Sequence, residues 1–396
     1  MALFPVNQNK VIARIAIFWA IALWGFGGIT ESFAEPKGIE LNENGFTSSE
    51  VCAKCHSRIF KTWKESMHAM STSDPIFRAS YMEAHYKSGG KAEQICLRCH
   101  APTTKFTHGY NLDVGATSEG LTCDFCHSLK DVDLSNKEYP FILDLGLTKY
   151  GPNKTGKVKI HKVAYSPLHR SSRICAACHE YTPNGLPVMS TYSEWKKSIY
   201  AEENIHCQSC HMPKMEAGAA DSSSKPDGRV VSHKLAGGMS IIQLEKAIDL
   251  KIASVERGKD RITINVNVTN RGSGHRVPTG MSTRKLMLYC EVRISGGKVY
   301  RDKVVYEKVI FDKDGFELTR DADIMLGRGA SIAKDNRIFP KETRKEKFVF
   351  YLPANQKANI SVWIDYLYQP VIMQQTDMRI EINRDSAVIS VGEGMK

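Results

Sequence analysis

The chain has 396 residues, 42% hydrophobic and 24% charged, with 54 Lys and Arg against 43 Asp and Glu and a formal charge of +11. Those fractions are ordinary for a folded protein and exclude a disordered, collagen-like or coiled-coil chain; the length allows two or three domains, each with its own core. The counts that stand out are 11 Cys and 13 His.

Residues 1–34 read as a secretory signal. Lys10 and Arg14 form a positive n-region, and Ser32-Phe33-Ala34 supplies small residues at the cleavage positions. The apolar stretch between them, Ile15 to Ile29, is roughly 15 residues, short of the ~20 a spanning helix needs. Cleavage is expected before Glu35. The mature chain is then exported, periplasmic or extracellular, with no transmembrane span.

Residues 35–235 hold five Cys-x-x-Cys pairs, each followed directly by His. They are Cys52 and Cys55 with His56, Cys96 and Cys99 with His100, Cys123 and Cys126 with His127, Cys175 and Cys178 with His179, and Cys207 and Cys210 with His211. Attachment of c-type haem needs this arrangement: two thiols three positions apart reach the vinyl groups on one haem edge, and the adjacent His binds iron. Zinc would use two Cys pairs together and disulfides would use none of the histidines, so neither accounts for a His after every pair. Five covalently attached haems c are expected. Successive motifs start 44, 27, 52 and 32 residues apart. That is too little chain to wrap each ring separately, so the haems must stack and form the core themselves.

The second axial ligand decides whether an iron is a low-spin carrier or open to a substrate. His68, His169, His233 and His275 are the expected distal ligands, leaving one haem without one. A helix capped at Ser48 or Ser49 is expected to carry Ile59, Phe60, Trp63 and Met67 on one face, with His68 about 18 Å beyond His56. Ligands across one iron are only about 4 Å apart, so His68 would serve a different haem. His169 shortly precedes the fourth motif, and His233 precedes Gly237-Gly238, where backbone can approach closely. His275, in a Gly/Pro loop between two strands, would clamp the C-terminal region onto the haems. His206 abuts Cys207 and cannot reach the far face of that haem; His85, His108 and His161 are weaker candidates. Trp63 and Trp195 are read as packing residues, and Cys290 as a small buried hydrophobe.

Asp221 to Gly228 reads as a polar loop at the junction. From residue 236 the pattern changes to period two, clearest at Ile262–Val268. Further strands are expected at Leu286–Val292, Lys303–Phe311, Lys347–Leu352, Ile360–Tyr368, Met378–Ile382 and Ala387–Val391. The expected fold class is α+β: a mainly α or irregular multihaem domain at 35–235, built around stacked haems, and a β-sandwich-like domain at 236–396.

Loss of Lys10, Arg14 and Glu31 with the signal removes two cations and one carboxylate, leaving +10. Ten haem propionates would roughly cancel this, so no nucleic-acid partner is inferred. The run Lys154, Lys157, Lys159, His161, Lys162 reads as a solvated loop, with a docking patch for an acidic partner as the alternative.

Several segments resemble the cytochrome c554/c-prime family of multihaem cytochromes. They are Trp63-x-x-Ser66-x-His68-Ala69, Cys96-Leu-Arg-Cys99-His100-Ala-Pro102, Glu119-Gly-Leu-Thr-Cys123-Asp-Phe-Cys126-His127, Glu194-Trp195-x-x-Ser198 and Cys207-Gln-Ser-Cys210-His211-Met-Pro213. The likeness covers about residues 47–235. Gly274-His275-x-x-Pro278-Thr279-Gly280, with its β-rich surroundings, is similar to the C-terminal extension of many such exported cytochromes. The resemblance implies paired, stacked, mostly bis-His haems, electron transfer outside the cytoplasm, and kinship with enzymes acting on hydroxylamine or nitrite. The family's namesake has four motifs and one haem without a distal ligand; this sequence has five motifs.

The expected function is electron relay between redox partners, other cytochromes or a quinol-linked membrane complex. One rival is an oxidoreductase acting on a small nitrogen or sulfur species at one five-coordinate haem. The other is an assembly subunit that forms oligomers or filaments through its β-domain.

Overall fold

The computed structural model describes residues 39–113, 115–154, 159–221, 230–353, 356–370 and 378–390. The expected signal sequence and most of the loop Asp221–Gly228 lie outside the described residues.

Short helices and turns make up most of the first part. Ser48 caps the helix Ser49–Ala53, its hydroxyl accepting from the Glu50 amide. The next helix, Ser57–Lys64, buries Trp63 and stops where the Ser66 amide turns back to the Trp63 carbonyl at 2.8 Å. His68 therefore lies in the turns beyond the helix, not on it as the periodicity suggested. Pro75–Ser88 is the longest helix here. Asp74 caps it through the Phe77 amide, Pro75 opens it, and Gly89 closes it at φ 59°. Four short strands complete this part: β1 (Leu129–Val132) pairs antiparallel with β2 (Phe141–Leu143), and β3 (Thr148–Gly151) parallel with β4 (Lys162–Tyr165).

The C-terminal part is built on two antiparallel sheets. One has the order β11-β6-β5, from Thr343–Tyr351, Arg261–Asn270 and Ile248–Arg257. The other has the order β13-β12-β7-β8, from Met378–Ile389, Ala358–Tyr368, Arg284–Ile294 and Val299–Tyr306. Alternate residues of β6 (Ile262, Ile264, Val266, Val268) meet those of β7 (Leu286, Leu288, Cys290, Val292) and β12 (Ile360, Val362, Ile364) in one core. Cys290 is a buried free thiol in that core. The Ile252 amide donates to Asp385 Oδ2 at 2.8 Å, tying β5 to β13 along one edge.

The run expected at Lys303–Phe311 is two strands, β8 and β9 (Lys308–Asp312). Asn336 breaks it: its side chain accepts from the Glu307 amide at 2.9 Å and donates to the Val305 carbonyl at 2.8 Å. β9 then pairs with β10 (Gly329–Asp335).

The two parts interlock. The Lys308 ammonium donates to the Pro187 and Val188 carbonyls, and the Tyr181 hydroxyl to Met325 O at 2.9 Å. Val188 shares a small core with Ile310 and Ile324. Lys87 of the long helix reaches Asp323 at 2.8 Å.

Candidate functional site

Helical backbone shapes the motifs. Ser49–Ala53 carries Cys52, and Cys123–His127 and Cys207–His211 each contain a whole motif. Cysteines at i and i+3 share one face of such a turn, with the His one position further round. Cys55 departs from that pattern, because its helix has already ended at Ala53. A turn holds it instead: the Cys55 amide donates to the Cys52 carbonyl at 3.1 Å, and the Cys55 carbonyl accepts from the Asp221 amide at 2.8 Å. Cys52 and Cys55 are both half-buried. The second motif begins inside a π-helical turn, Glu93–Leu97, which holds Cys96, an irregularity often found at functional sites.

The histidine rings meet in pairs, each joining a motif His to one outside the motifs. His56 and His161 have ring centres 6.4 Å apart; for His68 with His179, His127 with His233 and His211 with His275 the separation is 6.3 Å. Two imidazoles sharing one metal need two bonds of about 2.0–2.1 Å plus about 1.1 Å from each nitrogen to its ring centre, roughly 6.3 Å in all. The pairs fit a metal held between two imidazoles, as in a bis-His haem.

Backbone carbonyls set the tautomer. His56 Nδ1 is bonded to Ala219 O (2.5 Å), His127 to Tyr150 O (2.7 Å) and His211 to Ala236 O (2.6 Å). On the opposite side His161, His233 and His275 are bonded through Nδ1 to Lys162 O, Val231 O and Arg276 O. A ring donating from Nδ1 presents the Nε2 lone pair, the usual second-shell device of metal-binding histidines. Burial pushes His68 and His233 down to about 4 and His179 to about 3, so these rings are neutral and able to ligate.

His169 is placed differently. Its ring stacks beside that of His127 at 5.5 Å, its Nε2 is bonded to Cys126 O at 3.0 Å, and its Nδ1 is buried without a partner. His161 stands in the position that sequence reasoning gave no residue; it lies next to β4, whose parallel pairing with β3 brings it to His56. Among the described residues no histidine ring pairs with that of His100. Its ring stacks on Phe77 at 3.9 Å, and its Nδ1 is bonded to Ser71 O at 3.2 Å. His206 accepts from Ser172, and His85 sits beside Glu93.

The five attachment sites are contiguous. The Cys123 amide donates to Ser49 Oγ at 3.2 Å on the helix that carries Cys52, the Cys207 amide donates to Ser172 Oγ at 3.2 Å just before the fourth motif, and the Arg98 guanidinium of the second motif lies 4.9 Å over the ring of Tyr181, just after the fourth. Cys126 and Cys178 pack against one apolar cluster that includes Phe125 and Ala177. Sites one, three, four and five thus form a row, with site two beside the fourth.

Two tryptophans do equivalent jobs. Trp63 Nε1 donates to Leu121 O and Trp195 Nε1 to Ile205 O, both at 2.8 Å, and each acceptor lies two residues before a motif cysteine. Gly120, at φ 72°, lies so near His68 that a Cβ would stand 2.6 Å from the His68 carbonyl oxygen. The His275 loop is held by Glu194, whose Oε2 accepts from the Arg276 amide at 3.3 Å and the Thr279 hydroxyl at 2.9 Å, while Oε1 pairs with buried Arg337 at 2.8 Å.

Residues 51–128, spanning the first three motifs and His68, match the sequence family described as cytochrome c554 and c-prime. The fold is similar to that of a penta-heme cytochrome c552 from Thermochromatium tepidum, at 24% identity over 87% of this chain and 99% of that chain, with a TM-score of 0.71. That span takes in both the motif-bearing part and the β-sheets. The putative ApaA protein from Bordetella pertussis covers 37% of this chain at 9% identity; its TM-score of 0.20 carries no argument. A search of curated proteins finds no match. The fold is that of a multihaem cytochrome, with a C-terminal β-region.

Proposed function

We propose that the chain is an exported cytochrome with five c-type haems that relays electrons between redox partner proteins. The observation that carries the reading is the set of four histidine pairs at 6.3–6.4 Å, each with one motif member. When bound, haem c supplies one-electron iron chemistry, at low potential where both axial ligands are His. The first site is assigned to Cys52 and Cys55 with His56 and His161, and the third to Cys123 and Cys126 with His127 and His233. The fourth is Cys175 and Cys178 with His179 and His68, and the fifth Cys207 and Cys210 with His211 and His275. Cys96 and Cys99 with His100 form the remaining site. His169 is assigned a supporting role beside His127.

The chain's own work in this account is positional. With haem bound, the thiols would hold it, while carbonyls fix the orientation of the histidine rings and burial keeps those rings neutral. Contiguous sites favour electronic coupling. The signal at residues 1–34 supports export to the periplasm or beyond. Among the described residues no helix is long and apolar enough to cross a membrane.

His100 favours a second reading, in which that site binds a small nitrogen or sulfur species. Purified holoprotein, pre-reduced and mixed with nitrite, hydroxylamine or sulfite, separates the two. The relay reading predicts five haems per chain by pyridine haemochrome and no catalytic turnover; sustained turnover would overturn it in favour of the second.

A further inference from the structure

Arg284 opens β7 on the side of the β-region that faces the motifs. It pairs across the sheet with Tyr368, the last residue of β12, and its guanidinium lies over that ring at 5.4 Å. Two glycines make room for it: a Cβ on Gly280 would stand 3.0 Å from Arg284 Nη1, and one on Gly238 would stand 3.5 Å from the same atom. Gly238 follows closely on Ala236, the carbonyl partner of His211.

This cation lacks the partner its setting demands. Its Nε is shielded from solvent and has no hydrogen-bond partner. The carboxylate that acts on it, Asp321, is engaged by neutral donors, the Thr283 hydroxyl at 2.6 Å and the Tyr368 hydroxyl at 2.7 Å. A shielded guanidinium whose Nε–H has no acceptor is costly, and its planar fork of donors suits a carboxylate in bidentate contact. Hydrogen bonds lead from here to the fourth motif: Thr279, next to Gly280, shares a hydroxyl contact with Thr191 at 2.9 Å, and the adjacent Tyr192 amide donates to the His179 carbonyl at 3.3 Å.

We propose that Arg284 binds a propionate carboxylate of the haem attached at Cys175 and Cys178, an inference that rests on the bis-His assignment of His179 and His68. A cation there favours the reduced form of that haem, because reduction makes the haem one charge more negative.

The experiment is EPR-monitored redox titration of the holoprotein, with H68M marking the signal of this haem. R284Q is expected to lower that haem's reduction equilibrium constant about tenfold, ~59 mV for one electron, and R284K to restore most of it. An unchanged potential in R284Q at full haem content overturns the proposal, as does a shift confined to another haem. If R284Q does not fold, R284K is read instead by resonance Raman: a shifted propionate bending mode supports the contact, and an unchanged one overturns it. Phosphate or nitrite titrated into the wild type at fixed ionic strength tests for a diffusible anion. An Arg284-dependent shift would assign the site to that anion and overturn the propionate. If H68M removes no low-spin signal, the bis-His reading itself fails, on a different observation, and the proposal falls with it.

Discussion

Replacing Arg337 with Met tests how the β-region is fastened to the motif-bearing part. Arg337 is 3% exposed. It donates to both carboxylate oxygens of Asp335 at 2.8 and 2.9 Å and pairs with Glu194 Oε1 at 2.8 Å. Burial pushes the Asp335 carboxyl up, but hydrogen bonds from Arg337, with the charge of Arg276 beside them, bring it below the usual carboxylate range. Removing one member of a buried ionic group leaves the others uncompensated, which costs about 3–5 kcal/mol. Asp335 keeps Arg276, while Glu194 keeps only the Arg276 amide and the Thr279 hydroxyl, so the strain falls on the loop carrying His275. At roughly 2 °C per kcal/mol, the thermal midpoint of the holoprotein should drop by about 6–10 °C. Differential scanning calorimetry reads the midpoint, and E194Q completes a double-mutant cycle whose coupling should reach about 1–3 kcal/mol. An R337M midpoint within about 2 °C of wild type, with no coupling to E194Q, would refute the argument.

Three further outcomes follow from the same geometry. H161A should keep its covalently attached haem but convert one low-spin EPR signal to high-spin, while H169A should leave every low-spin signal in place. G120A puts a Cβ against Ser71 Oγ and the His68 carbonyl at a φ of 72°, so the His68-dependent signal should shift and the midpoint fall by about 1–2 kcal/mol of strain. Burial and the Arg337 charge push Lys308 down to about 8. Its unfolded value is near 10.4, so between those limits the unfolded chain binds more protons and stability gains as pH rises. Thermal midpoints at pH 7.5 and pH 10 should show wild type gaining relative to K308M, and equal changes in the two would contradict the burial argument.

The motifs were legible because the spacing that haem attachment would require does not depend on the fold. Their local backbone was less so: the first motif leaves its helix before Cys55, whose carbonyl is tied to Asp221, a contact far along the chain. His68 was legible only as a histidine near a motif other than its own: its ring lies beside that of His179, but the helix on which its distance was reckoned ends at Lys64. His161 was not, because only the parallel pairing of β3 and β4 brings that charged loop to His56, and such a long-range contact leaves no local pattern. His169 looked suitable from its nearness to the fourth motif, yet the turn Pro167–Arg170 turns its Nε2 to Cys126 O. In the β-region, alternation revealed β6 because its inward side chains are buried in strict register. It missed β5, where a bulge between Ile252 and Ser254 breaks the period, and β10, most of whose residues are exposed or half-buried. Met378–Ile382 and Ala387–Val391 read as separate strands because β13 bulges opposite Ile364 and Asp365, which interrupts the alternation within one continuous strand.

The central claim is that eight histidines form four trans pairs and that His100 stands apart. Low-temperature EPR of the oxidised holoprotein, with spins integrated against a haem count, tests it most directly. The account predicts four low-spin bis-His haems and one distinct haem whose signal shifts on adding nitrite or cyanide. Five low-spin haems indifferent to added ligand, or two or more open haems, would contradict it.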